Sequence, residues 1–477
     1  MKKLLTLSLF LAGAYCSAQL VKFEEMLADS LLRNASVSFY VADADNGNVV
    51  YSHNPKISLI PASNMKLVSS AAALELLGPC HVFKTLIGYT GELNTSNGQL
   101  TGDIIIKGGG DPVLGSSYFC SHYEDFAGRW IEAVKNAGIK KVNGRIITDD
   151  SYFDFYPAAP RWLWEDLGAS YGAGVFGLSI FDNTFSIRVR TAPDSINVEL
   201  IDITPDIAGY DLTNRLKTFG SEGKWYLYAA PYSSSGWLSG TIPASSEYVM
   251  KVSIPDPPLM AARMMLQRME KEKIETAGHP YTSRIENMAN IDDITYLAQT
   301  GSPELRSIME ILNRESVNLY ADTFTKELGK QFRNSGTMTD GIKVIMQFLG
   351  SAGVDTCGFF IEDGSGLSAR NAVNAEGIAK LLVYMRNKGK YFQDYLFSLP
   401  EAGQNGTLAR FFTDPVFESN LKAKSGSMTR VRCYSGYFTA KSGKNMVFSI
   451  LVNNFHGTPV NVVRHVEEIL KEIILSE

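Results

Sequence analysis

The sequence predicts a mixed α/β protein of several domains, on three observations. A strand–turn–strand unit and an Ala- and Leu-rich helix lie near the start. Short strand-like runs separated by turns fill the region from about 85 to 285. Helices, then three strands and a last helix, complete the chain. With 477 residues the chain is too long for one ordinary core, and about 150 residues per domain gives roughly three.

A helix is expected around Glu24–Leu32. Ser36–Ala42 and Asn48–Tyr51 read as strands joined by Asp45-Asn46-Gly47, a strong hairpin turn. A helix follows from Asn64 to Leu77, and Gly78-Pro79 stops it. In the middle region strands are expected at Thr101–Lys107, Gly144–Thr148, Phe185–Arg190, Trp225–Ala229 and Tyr248–Ile254, then a helix at Pro257–Lys273. Further helices are expected at Pro303–Ser316, Leu319–Arg333 and Thr337–Ala352, and strands at Lys422–Ser425, Cys433–Ala440 and Met446–Asn453. The last helix, Val460–Leu475, carries Val462, Val463, Val466, Ile469, Leu470, Ile473 and Ile474 on one stripe. Its polar face holds Glu467, Glu468 and Glu472, which anionic lipid would repel, so it reads as packed on a sheet rather than lying on a membrane.

Composition is that of a soluble globular protein, 45% hydrophobic and 20% charged. A net charge of -5 excludes the basic face that nucleic acid needs. Residues 1–18 read as a signal peptide: Lys2 and Lys3, an apolar run from Leu4 to Tyr15, and small residues up to Ala18. That run is too short to span a bilayer, which takes ~20 apolar residues, so a periplasmic protein with no stable membrane span is expected. Four cysteines remain after cleavage: Cys80, Cys120, Cys357 and Cys433. An oxidising compartment permits three full pairings among them, and at least two are expected as buried thiols. No CxxC spacing occurs, so no metal site or cofactor is expected.

None of the six histidines accompanies a Gly-x-Ser-x-Gly elbow, and each reads as structural. A serine activated by lysine is the alternative. Ser63-Asn64-Met65-Lys66 is S-x-x-K at a helix start, with both side chains on one face. Serine needs a base to be nucleophilic, and lysine is a base only where its pKa is lowered. Chance gives on the order of one or two such matches, so context decides. Ser221-Glu222-Gly223-Lys224 also matches, but glycine interrupts it and a strand follows. Ser316-Val317-Asn318 is S-x-N between two helices; Ser52-His53-Asn54 and Ser195-Ile196-Asn197 match that weak pattern too. Lys424-Ser425-Gly426-Ser427 lies on a C-terminal strand, where lysine suits a substrate carboxylate and glycine admits substrate to the strand. The N–H groups of Ser63 and Ser427 are candidates for an oxyanion hole. Lys441-Ser442-Gly443 repeats the tripeptide in a turn, where it reads as a solvated hairpin tip.

Helix-start S-x-x-K, loop S-x-N and strand K-S-G, in that order, form the signature of penicillin-binding proteins and class A β-lactamases. Lys107-Gly108-Gly109-Gly110-Asp111, Asp149-Asp150-Ser151, Asp363-Gly364-Ser365-Gly366-Leu367-Ser368 and Leu399-Pro400-Glu401-Ala402-Gly403 extend the likeness. So does the gap of about 250 residues from Lys66 to Ser316. The chain resembles the class C low-molecular-mass penicillin-binding proteins, D-alanyl-D-alanine carboxypeptidases/endopeptidases acting on peptidoglycan. Val317 and Ser425 replace the usual Asp and Thr, and neither change removes a catalytic group.

The resemblance implies a transpeptidase-type domain, a sheet flanked by helices, built from residues 20–88 and 286–477. Inserted β-rich material would occupy 89–285 as two nested domains. It also implies Ser63, Lys66 and Ser316 as catalytic, Asn318, Lys424, Ser425, Gly426 and Ser427 as substrate-binding, peptidoglycan stem peptides as substrate, and β-lactams as inhibitors. A β-lactamase-like hydrolase and a non-catalytic wall-binding protein are the rival classes. Two features stay open: Asp363, expected to hold its glycine-rich turn with a direct substrate role as the alternative, and Trp162-Leu163-Trp164, expected in the core of the insertion with the lining of a substrate groove as the alternative.

Overall fold

The computed structural model describes residues 20–191, 196–207, 209–219, 223–244, 247–285, 291 and 293–477. The expected signal peptide, Ser195 and Ser221 lie outside them.

A five-stranded antiparallel sheet organises the two ends of the chain. Its order is Lys422–Met428, Val431–Thr439, Asn445–Asn453, Ser36–Asp43 and Val49–His53. The hairpin turns where expected: Asp43 Oδ1 accepts the N–H groups of Asp45 and Asn46, and Gly47 takes φ 77. Asn445–Asn453 is buried along nearly its whole length. Such a strand reads as a continuous apolar run because helices cover both of its faces.

On one face the helix Pro459–Ser476 packs with Val21–Ala28. The whole predicted stripe from Val462 to Ile474 is buried, and the acidic face is engaged with protein. Glu472 accepts the N–H groups of Val21 and Lys22, and Glu467 accepts that of Phe412. Among the described residues no helix is long and apolar enough to cross a membrane. The first helix stops at Ala28, short of the expected Leu32, because Asp29 Oδ1 takes the Leu31 N–H and turns the backbone.

On the other face Met65–Leu77 is buried all round from Met65 to Leu74 and touches the helices Leu305–Arg314, Asn318–Arg333 and Met338–Ser351. Small Ala and Ser side chains let these helices close in. Ala375–Lys388 completes this layer; the sequence reading missed it although Asn374 caps it by accepting the Gly377 N–H.

The middle of the chain forms smaller sheets. The largest has the order Pro280–Thr282, Ile146–Asp149, Ile104–Lys107, Lys84–Tyr89 and Thr295–Gly301. It draws strands from both sides of the expected joins at 88/89 and 285/286. The strands Val198–Thr204, Asp211–Thr218 and Ser235–Ile242 and the amphipathic helix Phe126–Asn136, all here, went unread in the sequence. The Gly108–Gly110 run spends its amides internally: Gly108 donates to Asp149 O and Gly110 to Gly177 O.

The cysteine expectation is corrected. All four are free thiols, and only Cys433 is buried. Cys433 sits on an interior strand, whereas Cys80 lies in the turn after Met65–Leu77, Cys120 opens the short helix Cys120–Tyr123 and Cys357 lies in the 3-10 turn Thr356–Gly358, all at the surface.

Ile469 is fully buried beneath the sheet. Ile469→Ala should lower the unfolding free energy by about 2–5 kcal/mol, read from urea denaturation, since it leaves a cavity in a packed interface.

Candidate active site

Ser63 lies in the 3-10 turn Ala62–Asn64 that opens the helix Met65–Leu77. In such a turn residues three apart eclipse, which brings Lys66 Nζ to 2.9 Å from Ser63 Oγ. Two glycines let other segments press on this turn. A Cβ on Gly366, whose φ is 84, would stand 1.8 Å from Ala62 O, and one on Gly426 would stand 2.3 Å from Pro61 O. The Asp363–Ser368 turn and the Lys422–Met428 strand therefore hold Ser63 from two sides.

Lys66 is fully buried and contacts two further acceptors, Asn318 Oδ1 at 2.5 Å and Ser365 O at 2.8 Å. An ammonium donates to all three groups. A neutral amine donates to two and keeps a lone pair for the Ser63 hydroxyl. Burial lowers the Lys66 pKa to about 7, against the upward pull of Asp322 and Asp363.

Asn318 begins the helix Asn318–Arg333, and its Nδ2 donates to Tyr171 O at 2.7 Å. Ser316 precedes it with φ 59, a left-handed conformation that is rare for serine. Its Oγ accepts from Lys424 Nζ at 2.9 Å, and Lys424 also donates to Ser425 O at 3.0 Å. Lys424 is fully buried; burial and then the charge of Lys66 push its pKa well down. A bound carboxylate would push it back up. Ser425 Oγ donates to Thr407 Oγ1 at 2.7 Å.

Lys422–Met428 is an edge strand. Ala423 N–H points off that edge, to Pro400 O at 3.0 Å. Strand amides alternate with a period of two, so the amides of Ser425 and Ser427 face the same way, away from the sheet. The structure thus brings Ser63, Lys66, Ser316, Asn318, Lys424, Ser425, Gly426 and Ser427 to one locus. The rival Lys441-Ser442-Gly443 lies in the turn between two strands, and Ser52 and His53 end a strand. Among the described residues no cluster suits a metal ion.

Sequence reasoning missed three contributors. Asp322 Oδ1 accepts the N–H groups of Gly364 and Ser365, which aims Ser365 O at Lys66. Its Oδ2 is buried with no hydrogen-bond partner. Burial, followed by the charge of Asp363, raises the Asp322 carboxyl above the usual range. Its position one turn after Asn318 on a helix was a usable signal. Tyr171 and Thr407 act across long separations and left no local signal. Asp363 holds its turn as expected, accepting from Gly366 N, Ser368 N, Asn371 Nδ2 and Trp162 Nε1. Trp162 is buried as expected, but Leu163 and Trp164 are more than half exposed, because Trp162 spends its ring on Asp363 while its neighbours face solvent.

Asp322→Asn keeps the Oδ1 acceptor and removes a charge that raises the Lys66 pKa. The acidic limb of the pH profile for acylation by a fluorescent penicillin should therefore move to lower pH. A limb that stays in place would show that Asp322 does not act on Lys66.

The profile of the D-Ala-D-Ala carboxypeptidase 3 (S13) family matches residues 19–471. The D-alanyl-D-alanine carboxypeptidase of Actinomadura sp. (strain R39) is 31% identical over 469 residues, covering 94% of this chain and 83% of that relative. Among solved structures, penicillin binding protein 4 (dacB) from Haemophilus influenzae superposes with a TM-score of 0.79 at 19% identity, over 92% of this chain and 96% of that one. The same protein has been solved with a β-lactam bound. A predatory peptidoglycan endopeptidase from Bdellovibrio bacteriovorus gives a TM-score of 0.50 at 15% identity, over 92% of this chain and 93% of that one. By sequence over nearly its whole length, and by the fold it shares with these enzymes, the chain belongs to the D-Ala-D-Ala carboxypeptidase 3 (S13) family of serine peptidases.

Proposed function

We propose that this chain hydrolyses D-alanyl-D-alanine ends and cross-links of peptidoglycan stem peptides through a Ser63 acyl-enzyme. The observation that carries this reading is the buried Lys66 amine, 2.9 Å from Ser63 Oγ and held by Asn318 and Ser365. Neutral Lys66 takes the Ser63 proton as Oγ attacks the carbonyl carbon of the penultimate D-alanine. The Ser63 and Ser427 amides stabilise the oxyanion. The C–N bond then breaks as Ser316 passes its proton to the departing amine and takes up the proton that Lys66 acquired from Ser63, which leaves Lys66 neutral again. Asn318 orients the acyl amide, and Lys424 pairs with the terminal carboxylate of a carboxypeptidase substrate. Water, deprotonated by the neutral Lys66 amine, attacks the ester carbonyl; the bond to Ser63 Oγ breaks, Oγ takes the proton from Lys66, and the shortened peptide leaves. β-Lactams mimic the acylation step and stay attached.

Residues 1–18 fit a signal for export, and a periplasmic location matches a cell-wall substrate. For the domain division, joins near residues 83 and 302 leave the five-stranded sheet of the insertion whole.

Fluorescent penicillin labelling of the purified protein tests the mechanism. Wild type should label and Ser63→Ala should not; a wild type that never labels overturns the reading. Ser316→Ala should slow acylation by roughly 10²–10⁴, the range of general acid–base help. Acylation should also rise with pH through about 7 and then level, because only deprotonated Lys66 accepts the serine proton.

A further inference from the structure

The exposed part of the Trp162–Trp164 segment has no role in the chemistry above. Trp164 opens the short helix Trp164–Leu167 with 55% of its surface exposed. Its ring stands 5.2 Å from that of Tyr228 and 5.6 Å from that of Trp237. Tyr228 and Trp237 are paired across adjacent strands and stack at 5.4 Å, and Tyr226 continues the row 5.9 Å from Tyr228. Alternation puts Tyr226, Tyr228, Trp237 and the exposed Arg215 on one face of the small sheet, with Lys224 Nζ 5.7 Å from the Tyr226 ring.

We propose that this aromatic face binds the glycan strand of peptidoglycan, with amino-sugar rings stacked on Trp164, Tyr228 and Trp237. The inference rests on the peptidase reading and adds a saccharide subsite to it. Electron-rich ring faces suit the C–H edges of a sugar; the exposed Trp164 ring, set nearly edge-on to Trp237, presents such a face, and the stacked Tyr228 and Trp237 rings extend the aromatic surface beside it. The basic rim suits the carboxylates of stem peptides.

Reach supports the placement. Tyr171 O touches Asn318 beside Ser63, and the helix that opens at Trp164 folds back against the turn Ser170–Gly172, where a Cβ on Gly172 would stand 1.8 Å from Asp166 O. Four extended residues of a stem peptide, at about 3.3–3.6 Å each, span ~13–14 Å. On this proposal a stem peptide anchored at Ser63 and running toward this segment carries its glycan to the aromatic face.

Two measurements decide it. In saturation-transfer NMR, peptide-free chitotetraose should bind wild type and Ser63→Ala alike, and at least threefold more weakly to Trp164→Ala. In kinetics, Trp164→Ala and Tyr228→Leu should lose at least fivefold in kcat/KM on a disaccharide pentapeptide, chiefly through KM. Free pentapeptide and penicillin should react unchanged, which also reports an intact fold, and Trp164→Phe should recover most of the loss. No binding of chitotetraose to wild type overturns the proposal. So do equal losses on both substrates, which would mark the cluster as packing only. Failure of the peptidase reading shows separately, as absent penicillin uptake.

Discussion

The structure is organised around one buried amine. Removing an ammonium from water costs several kcal/mol, and the cost is met here by one acceptor on its own turn, Ser63, and two from distant segments, Asn318 and the Ser365 carbonyl. Lys424 is buried nearby, so two like charges share the site with Asp322 and Asp363. A third buried lysine, Lys326, is compensated apart from them, by Asp154 at 2.6 Å. With one cation's charge suppressed, Lys66 is free to act as a base while a carboxylate brought by substrate can restore charge at Lys424. The glycines at 366 and 426 follow from the same demand, because no side chain fits between the serine turn and the segments that close over it.

The insertion belongs to this arrangement. Tyr171 supplies the carbonyl that orients Asn318, Trp162 donates to Asp363, and Arg161 pairs with Glu362 at 2.5 Å. A change in the insertion can thus reach Lys66 through one asparagine.

Legibility followed the range of the interactions. Ser63 and Lys66 are three apart on one turn, but Ser221 and Lys224 share that spacing and Lys441-Ser442-Gly443 repeats the strand motif, so it was the order of the three motifs along the chain that exposed Ser63 and Lys424. The last helix was legible because its stripe is continuous from Val462 to Ile474. Asp322 could have been read from helical spacing. Tyr171 and Thr407 could not, because a backbone carbonyl or a lone hydroxyl carries no pattern in the sequence. The strands around 198–242 were missed for a related reason: they form small sheets with one polar face, and their apolar alternation is short. The cysteines were misjudged because three of the four lie in short surface segments, where burial depends on neighbours far along the chain.

The edge strand Lys422–Met428 links these threads. An open edge is normally a liability, and proteins cover it. Here the segment at 400–402 covers the first half: Ala423 N donates to Pro400 O and Ala402 N to Leu421 O. Beyond Ala423 that cover ends, and the amides of Ser425 and Ser427 face away from the sheet beside Ser63. An extended peptide adding to this half as another strand would satisfy those amides. On the proposed reading its scissile carbonyl then meets Ser427 N–H, its terminal carboxylate meets Lys424, and its other end runs toward the insertion. The same edge that sets the oxyanion hole thereby sets the direction of the substrate.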